Sequence, residues 1–266
     1  MSAAAGTGST CRVITLGAVY RPQLPPERLR PVVLAAEESG LDSLWLWEDC
    51  FLESGIAAAS AALAWTERLK VGVGLLPVPL RNVALTAMET ATLERMFPGR
   101  VTIGVGHGVQ DWMGQVGARV SSPLTLLREY TGALKALLAG ERVTVAGRYV
   151  TLTDVALDWP PAAPVPVHVG GLGLKTLELA GEIGDGTILD STADLERIRL
   201  VRSSREHPVV VYVETDSRDR AFVTDLVASV AEAGATSVVL QQSASCEDPE
   251  GFVRFVASLA GSHSAG

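Results

Sequence analysis

Pro98-Gly99-Arg100-Val101-Thr102-Ile103-Gly104-Val105-Gly106-His107-Gly108 is the stretch on which the fold turns. Phe97-Pro98-Gly99 ends the Ala/Leu/Glu-rich segment before it, because Pro-Gly does not continue a helix. Val101–Gly106 then reads as a strand. It is apolar throughout rather than alternating, as a strand covered on both faces of a parallel sheet must be. Outward from this run the same unit recurs. Similar runs stand at Arg12–Val19, Ser43–Leu46 and Lys70–Gly74 before it, and at Val165–Val169, Gly186–Asp190, Pro208–Val213 and Thr236–Gln241 after it. Helical stretches separate them. Eight strand–helix units in about 250 residues is the arithmetic of an α/β chain folded as a (β/α)8 barrel, the TIM barrel. A doubly wound sheet needs fewer strands and a Gly-rich turn after the first. That turn here is Ala18-Val19-Tyr20-Arg21-Pro22, so the barrel is preferred.

Punctuation supports the element boundaries. Pro25-Pro26 opens the first helix and Gly40 closes it, while Asp194, Asp216 or Ser217, and Asp248 stand where later helices need N-caps. The interval after the fourth strand is too long for one helix. It predicts an insertion over about residues 115–164, with a helix at Pro123–Leu138 and a hairpin of Val143–Ala146 and Tyr149–Leu152 turning at Gly147-Arg148. A stiff Trp159–Pro164 connector follows, and the whole insertion is expected over the barrel mouth. One domain over residues 11–261 and a disordered tail over residues 1–10 complete the expected organisation.

Composition narrows the partners. The 266 residues carry 22 Lys+Arg against 30 Asp+Glu, a formal net charge of −8, with no basic run to hold nucleic-acid phosphates. The 3 cysteines (Cys11, Cys50, Cys246) form neither a disulfide framework nor a C-x-x-C pair. No apolar run reaches the roughly 18 residues of a membrane span, and the N-terminus lacks a basic, then apolar, secretory leader. The expectation is a cytoplasmic protein with a small-molecule substrate.

In such a barrel, chemistry sits at strand C-terminal ends. The second strand ends in Trp47-Glu48-Asp49-Cys50, two carboxylates and a thiol. The third ends in Gly74-Leu75-Leu76-Pro77-Val78-Pro79-Leu80-Arg81; a glycine there lets a flat ligand approach the backbone, while Arg81 serves equally well as a structural ion-pair partner. After the fourth strand, Gly106-His107-Gly108 displays a histidine between cleared positions, and Trp112 beyond it reads as core or rim. After the fifth comes Gly170-Gly171-Leu172-Gly173 leading into a helix, with Lys175 and Thr176 in its first turn. Unpaired N–H groups and the helix dipole make this an anion cradle. His168, inside that strand, reads as a hydrogen-bonded structural residue. No Ser-His-acid set, zinc cluster or Walker loop can be assembled, so no metal is expected. A phosphate cradle and a cleared surface without a nucleophile suit an enzyme whose cofactor does the chemistry.

Three segments together, Gly40-Leu41-Asp42-Ser43-Leu44-Trp45-Leu46, Pro98–Gly106 and Val169-Gly170-Gly171-Leu172-Gly173, resemble the bacterial-luciferase-like flavin and deazaflavin oxidoreductases, in the branch that uses coenzyme F420. The resemblance runs from about Val13 to about Gln242. It implies hydride transfer between F420 and a small organic substrate. It places a non-prolyl cis peptide at about Val73–Gly74, with Val73, Gly74 and Leu75 supporting the ring face. Asp49 falls near the ring's polar edge, Gly106, His107 and Gly108 against cofactor and substrate, and Gly170, Gly171, Leu172, Gly173, Lys175 and Thr176 on the phosphate. Many such deazaflavin enzymes have a histidine after the aspartate; Cys50 stands there, so the catalytic set is read as His107, Cys50 and Asp49, with His107 the best placed proton carrier. The family commonly dimerises, and a separate flavin or F420 reductase is an expected supplier. FMN-dependent two-component monooxygenation and a non-catalytic flavin-binding barrel are the alternatives. A phosphate-sugar isomerase or lyase on the same barrel would need an interior base that no strand clearly supplies.

Overall fold

A strand that is apolar at every position needs cover on both sides, and in this chain such strands obtain it by closing on themselves inside a ring of helices. A computed structural model of the chain describes residues 14–190 and 194–260. The tail expected at residues 1–10 lies outside the described residues. In chain order the strands are β1 (Thr15–Val19), β2 (Ser43–Leu46), β3 (Lys70–Pro77), β4 (Val101–Gly106), β5 (Val143–Ala146), β6 (Thr151–Val155), β7 (Val167–Gly170), β8 (Gly186–Leu189), β9 (Val209–Glu214) and β10 (Ser237–Gln241). The helices are α1 (Leu29–Glu38), α2 (Gly55–Ala64), α3 (Val83–Met96), α4 (Gln110–Gln115), α5 (Pro123–Leu138), α6 (Leu174–Ile183), α7 (Leu195–Ser204), α8 (Arg220–Glu232) and α9 (Pro249–Ala260). The barrel closes in the order β1-β10-β9-β8-β7-β4-β3-β2, with parallel pairing throughout. It is the (β/α)8 barrel.

Most of the core lies between strands and helices. A second, smaller cluster of Val19, Trp45, Ile188, Val210, Tyr212 and Val239 fills the barrel itself. Trp45 meets Tyr212 edge-on with ring centroids 5.8 Å apart, and Ile188, 2% exposed, contributes about 1.5–3 kcal/mol by its burial. Because side chains plug the interior, a ligand is confined to the C-terminal rim.

Three boundaries differ from expectation for identifiable reasons. After a short 3-10 turn at Pro26–Arg28, α1 begins at Leu29. Asp219, not Asp216 or Ser217, caps α8 by accepting from the N–H groups of Ala221 and Phe222 at 2.9 and 3.2 Å. Asp216 instead accepts from Ser243 N–H at 2.9 Å, tying the β9 loop to the β10 loop. Asp194 and Asp248 do cap, accepting from Arg197 N–H at 2.6 Å and Gly251 N–H at 2.8 Å. The hairpin's second strand starts at Thr151 rather than Tyr149, because Glu129 of α5 takes the N–H groups of Arg148, Tyr149 and Val150 at 2.8–3.0 Å. Those donors are thereby lost to the ladder.

The insertion is also smaller than expected, and elsewhere. Helix α5 packs between α3 and α6 in the outer ring, so it is the barrel's own fourth helix. Only α4 and the β5–β6 hairpin are additions. The hairpin lies along the outer side of α5, where Tyr149 Oη accepts from Ser122 N–H at 2.9 Å. None of its residues reaches the mouth.

Candidate active site

At the C-terminal mouth is a cavity of about 380 Å³ whose two sides are built differently. Strands β3, β4 and β7 contribute Gly74, Leu75 and Pro77, His107 and Gly108, and Gly170 through Gly173. The ends of β1, β2, β8, β9 and β10 contribute Arg21, Trp47 through Cys50, Asp190, Tyr212 and Glu214, and Gln241.

The first side is open because side chains are missing by necessity. A Cβ at Gly74 would lie 2.8 Å from both Ile188 Cδ1 and Tyr212 Oη, and one at Gly170 would lie 2.6 Å from the backbone oxygen of Ile188. Tyr212 fixes this floor by donating its hydroxyl to Gly74 O at 2.8 Å. Full burial pushes that hydroxyl's pKa well above the ordinary tyrosine value, with Asp190 adding to the effect, so it remains a donor. The peptide Gly74–Leu75 is cis, one residue beyond the expected place, at a register shift between Val73 and Leu76; Cys50–Phe51 is also cis.

His107 sits at the seam. Its Nδ1 lies 2.9 Å from Gly108 O. A carbonyl accepts only, so in the neutral ring Nδ1 carries the hydrogen and Nε2 is the acceptor. Nε2 faces the cradle, 3.6 Å from where a Gly171 Cβ would be. At the start of α6 the N–H groups of Thr176 and Leu177 bond back to Gly173 O at 2.9 and 3.0 Å. The first N–H groups of the helix have no intrahelical partner, and the run Gly170–Gly173 that leads into it lines the cavity.

The second side is held by ion pairs and hydrogen bonds. Trp47 Nε1 donates to Asp49 Oδ2 at 3.2 Å. Burial raises the Asp49 pKa, helped by nearby Asp190, while the Trp47 hydrogen bond and Arg21 pull it down. Burial also pushes the Cys50 thiol up, with Glu48 and Asp49 adding to it. A thiol so placed stays protonated and is a poor nucleophile. Arg81 donates to Glu48 Oε1 at 3.0 Å and is also paired with Glu89, while Gly55 N–H donates to Glu48 Oε2 at 2.9 Å. Arg81 therefore braces the loop that carries Asp49. Arg21 donates to Glu214 at 3.1 Å and to Gln242 O at 2.6 Å, with its guanidinium 5.6 Å from the Trp47 ring centroid.

Of the residues singled out from sequence, Asp49, Cys50, Gly74, Leu75, His107, Gly108, Gly170, Gly171, Leu172 and Gly173 line this cavity. Val73 does not: strand alternation turns it outward, fully buried, against α2 at Gly55. Gly106 is buried below the rim behind Leu75. Lys175 is exposed away from the cavity, and Thr176 is packed beneath the cradle at 4% exposure. His168 is buried in β7, yet its Nδ1 has no partner among the described residues, against the expected hydrogen bond. Trp112 lines the mouth. Asp190, Tyr212, Glu214 and Gln241 were not foreseen, although each is a polar residue at the end of an apolar strand run.

A cleared floor, an acceptor nitrogen and an anion cradle at one end fit a planar ring system carrying a phosphate. The family model for luciferase-like monooxygenases matches residues 9–207. Among curated relatives, the 5,10-methylenetetrahydromethanopterin reductase of Methanolobus tindarius is 27% identical over 245 residues, covering 86% of this chain and 74% of that one. An F420-dependent glucose-6-phosphate dehydrogenase of Beutenbergia cavernae is 33% identical over 183 residues, covering 64% and 54%. The match thus spans about half the length of that dehydrogenase. In architecture, the coenzyme F420-dependent tetrahydromethanopterin reductase of Methanopyrus kandleri superposes with a TM-score of 0.80 at 18% identity, over 94% of this chain and 99% of that one. The chain belongs to the luciferase-like monooxygenase family.

Proposed function

We propose that this chain is an oxidoreductase that moves a hydride between coenzyme F420 and a small organic substrate. The observation that carries the reading is the glycine-cleared side of the mouth, flat at Gly74 and ending in the glycine run Gly170–Gly173 that leads into a helix. The F420 dependence printed for the Beutenbergia cavernae dehydrogenase and the Methanopyrus kandleri reductase supports the cofactor's identity. Those relatives act on chemically unlike substrates, so their names do not choose one here.

Bound F420 would supply a carbon that accepts or releases a hydride. The chain's own residues do the rest. Gly74 and Leu75 support the ring face, and Gly170–Gly173 hold the phosphate. The plugged barrel beneath keeps water from the lower face. His107 Nε2 accepts or returns the proton that accompanies the hydride, and holding the reactants in position supplies roughly 7–11 kcal/mol. Cys50 stays a neutral thiol at the rim.

Titrating the purified protein with F420 and FMN in parallel, followed by fluorescence, tests this. Micromolar or tighter F420 binding with weak FMN binding is expected. The reverse preference would make it an FMN-dependent monooxygenase served by a reductase, and binding of neither would remove the reading.

A homodimer is part of the proposal. Leu85, Met88 and Met96 form an exposed apolar stripe on α3 at helical spacing. Light scattering after size exclusion should give twice the chain mass. No helix among the described residues is long and apolar enough to cross a membrane, and we place the enzyme in the cytoplasm, where a separate reductase would recycle the cofactor.

A further inference from the structure

Resting on the F420 reading, we infer that the substrate is a small, largely apolar molecule carrying a single hydroxyl or amine, and that Trp112 covers its apolar body from the rim of the mouth. The chain has 5 tryptophans. Trp45 meets Tyr212, Trp47 meets Tyr212 and Arg21, Trp65 meets Arg30, and Trp159 meets Arg95. Trp112 differs. It is half-buried and lines the cavity, and its ring meets no aromatic or cationic side chain among the described residues. Helix α4, which carries it, is an addition to the barrel and is anchored at both ends of its first turn. Gln110 Nε2 donates to His107 O at 3.2 Å, and the fully buried Met113 sets its sulfur 3.2 Å from where a Gly108 Cβ would be. Val109, just before α4, and Leu172 also line the cavity and are 48% and 51% exposed. An anchored helix thus holds an unpartnered aromatic ring and exposed apolar side chains at the edge of a pocket. Such surface is relieved of water by an apolar ligand.

The polar side chains across the mouth are bonded within the protein. Asp49 accepts from Trp47, Glu214 from Arg21 and Gln241, and Glu48 from Arg81. Asp190 is engaged as well. A substrate hydroxyl that meets these groups competes with bonds already made, so it gains little for the water it loses. His107 is different. Its ring is turned by the bond between Nδ1 and Gly108 O at 2.9 Å, and Nε2 has no partner among the described residues. One O–H or N–H therefore has a ready acceptor. A molecule with one such donor and an otherwise apolar body uses both His107 and the Trp112 rim.

Two probes that share one carbocycle test this: cyclohexanol, with a single hydroxyl, and myo-inositol, with a hydroxyl on every carbon. Each is titrated calorimetrically into the protein with and without saturating F420. Cyclohexanol should bind at least about tenfold more tightly than inositol. Trp112→Ala should weaken cyclohexanol by about fivefold, and Val109→Thr, nearly isosteric and at an exposed position, by about twofold. Inositol binding as tight as cyclohexanol, or no binding of cyclohexanol, would overturn the inference. So would unchanged cyclohexanol binding in a folded Trp112→Ala protein, and if that protein also lost its dimer the ring would belong to an interface between copies. Val109→Thr and the wild-type order decide the matter even if Trp112→Ala does not fold. F420 is titrated on the same sample: probes in the expected order without F420 binding remove the cofactor reading and leave the rim standing, whereas F420 binding with the reverse order removes this inference alone.

Discussion

The two sides of the mouth reach one geometry by opposite means. On β3, β4 and β7 the backbone itself is the surface, and specificity comes from what is absent: a methyl group at Gly74 or Gly170 would collide with Ile188. On β1, β2, β8, β9 and β10 side chains make the surface, and three of the carboxylates are held by named partners, Trp47 for Asp49, Gln241 for Glu214, Arg81 for Glu48. The bare side suits a group common to a family, because backbone donors do not vary with sequence. The decorated side suits what differs between members, because one substitution changes it. A cofactor on the first and a substrate on the second is the division this construction favours.

The largest expected effect falls on the frame of the decorated side. Arg81, whose side chain is 13% exposed, separates Glu48 from Glu89. Arg81→Leu leaves two carboxylates facing each other and should cost roughly 3 kcal/mol of stability. Urea unfolding measures it, and a loss under about 1 kcal/mol would show that water already screens the pair.

Next is the seam. His107→Ala should lower kcat by about 100-fold, or about 2.7 kcal/mol of barrier, with F420 affinity little changed. Steady-state kinetics beside a cofactor titration separates the two quantities. Equal loss in both would move His107 from proton carrier to cofactor support.

The bare side is tested by Gly170→Ala. The new Cβ meets the backbone oxygen of Ile188, which cannot rotate away, so a loss of about 1–3 kcal/mol in stability and weaker F420 binding are expected. Unchanged denaturation and unchanged affinity would mean that β7 and β8 part more easily than a packed barrel should.

The bare side was also the more legible one in the sequence. Runs of glycine after an apolar strand are visible without any structure, so the cradle at Gly170–Gly173 and the display at His107 were readable. The decorated side was not, because Asp190, Glu214 and Gln241 are single polar residues with no motif around them. Only their position at the ends of β8, β9 and β10 gives them meaning, and that requires knowing where each strand stops. The barrel itself was readable because strands buried on both faces leave unbroken apolar runs. One-residue details were lost to alternation: along β3 the parity that sends Gly74 inward sends Val73 out to α2. The length of the fourth interval misled for another reason. Helix α5 looks like an insertion in sequence, and only its packing between α3 and α6 shows it to be the barrel's own.

The smallest predicted effect sets the two halves against each other through pH. On β7, burial lowers the His168 pKa to about 4 from an ordinary 6.5, with His207 adding to it and Asp185 opposing. Between those values the unfolded chain binds more protons than the folded one, so stability rises with pH up to about 6.5. In the β2–α2 loop, burial raises the Glu53 pKa to about 7 from an ordinary 4.5, with Glu27 adding to it and the Tyr20 hydrogen bond opposing. There the folded chain binds more protons, and stability falls as pH rises from about 4.5 to 7. The windows overlap and the slopes oppose, so these two groups nearly cancel in the wild type. Removing either one exposes the other. Glu53→Gln should give a stability that climbs between pH 4.5 and 6.5, and His168→Gln one that declines over the same range. Each slope should be of the order of 0.5–1 kcal/mol per pH unit, reduced from its full value because Glu53 is only half-buried. Urea midpoints at four pH values suffice. A flat profile in either variant would show that the group it retains keeps its ordinary pKa in the folded chain: His168 if Glu53→Gln is flat, Glu53 if His168→Gln is flat.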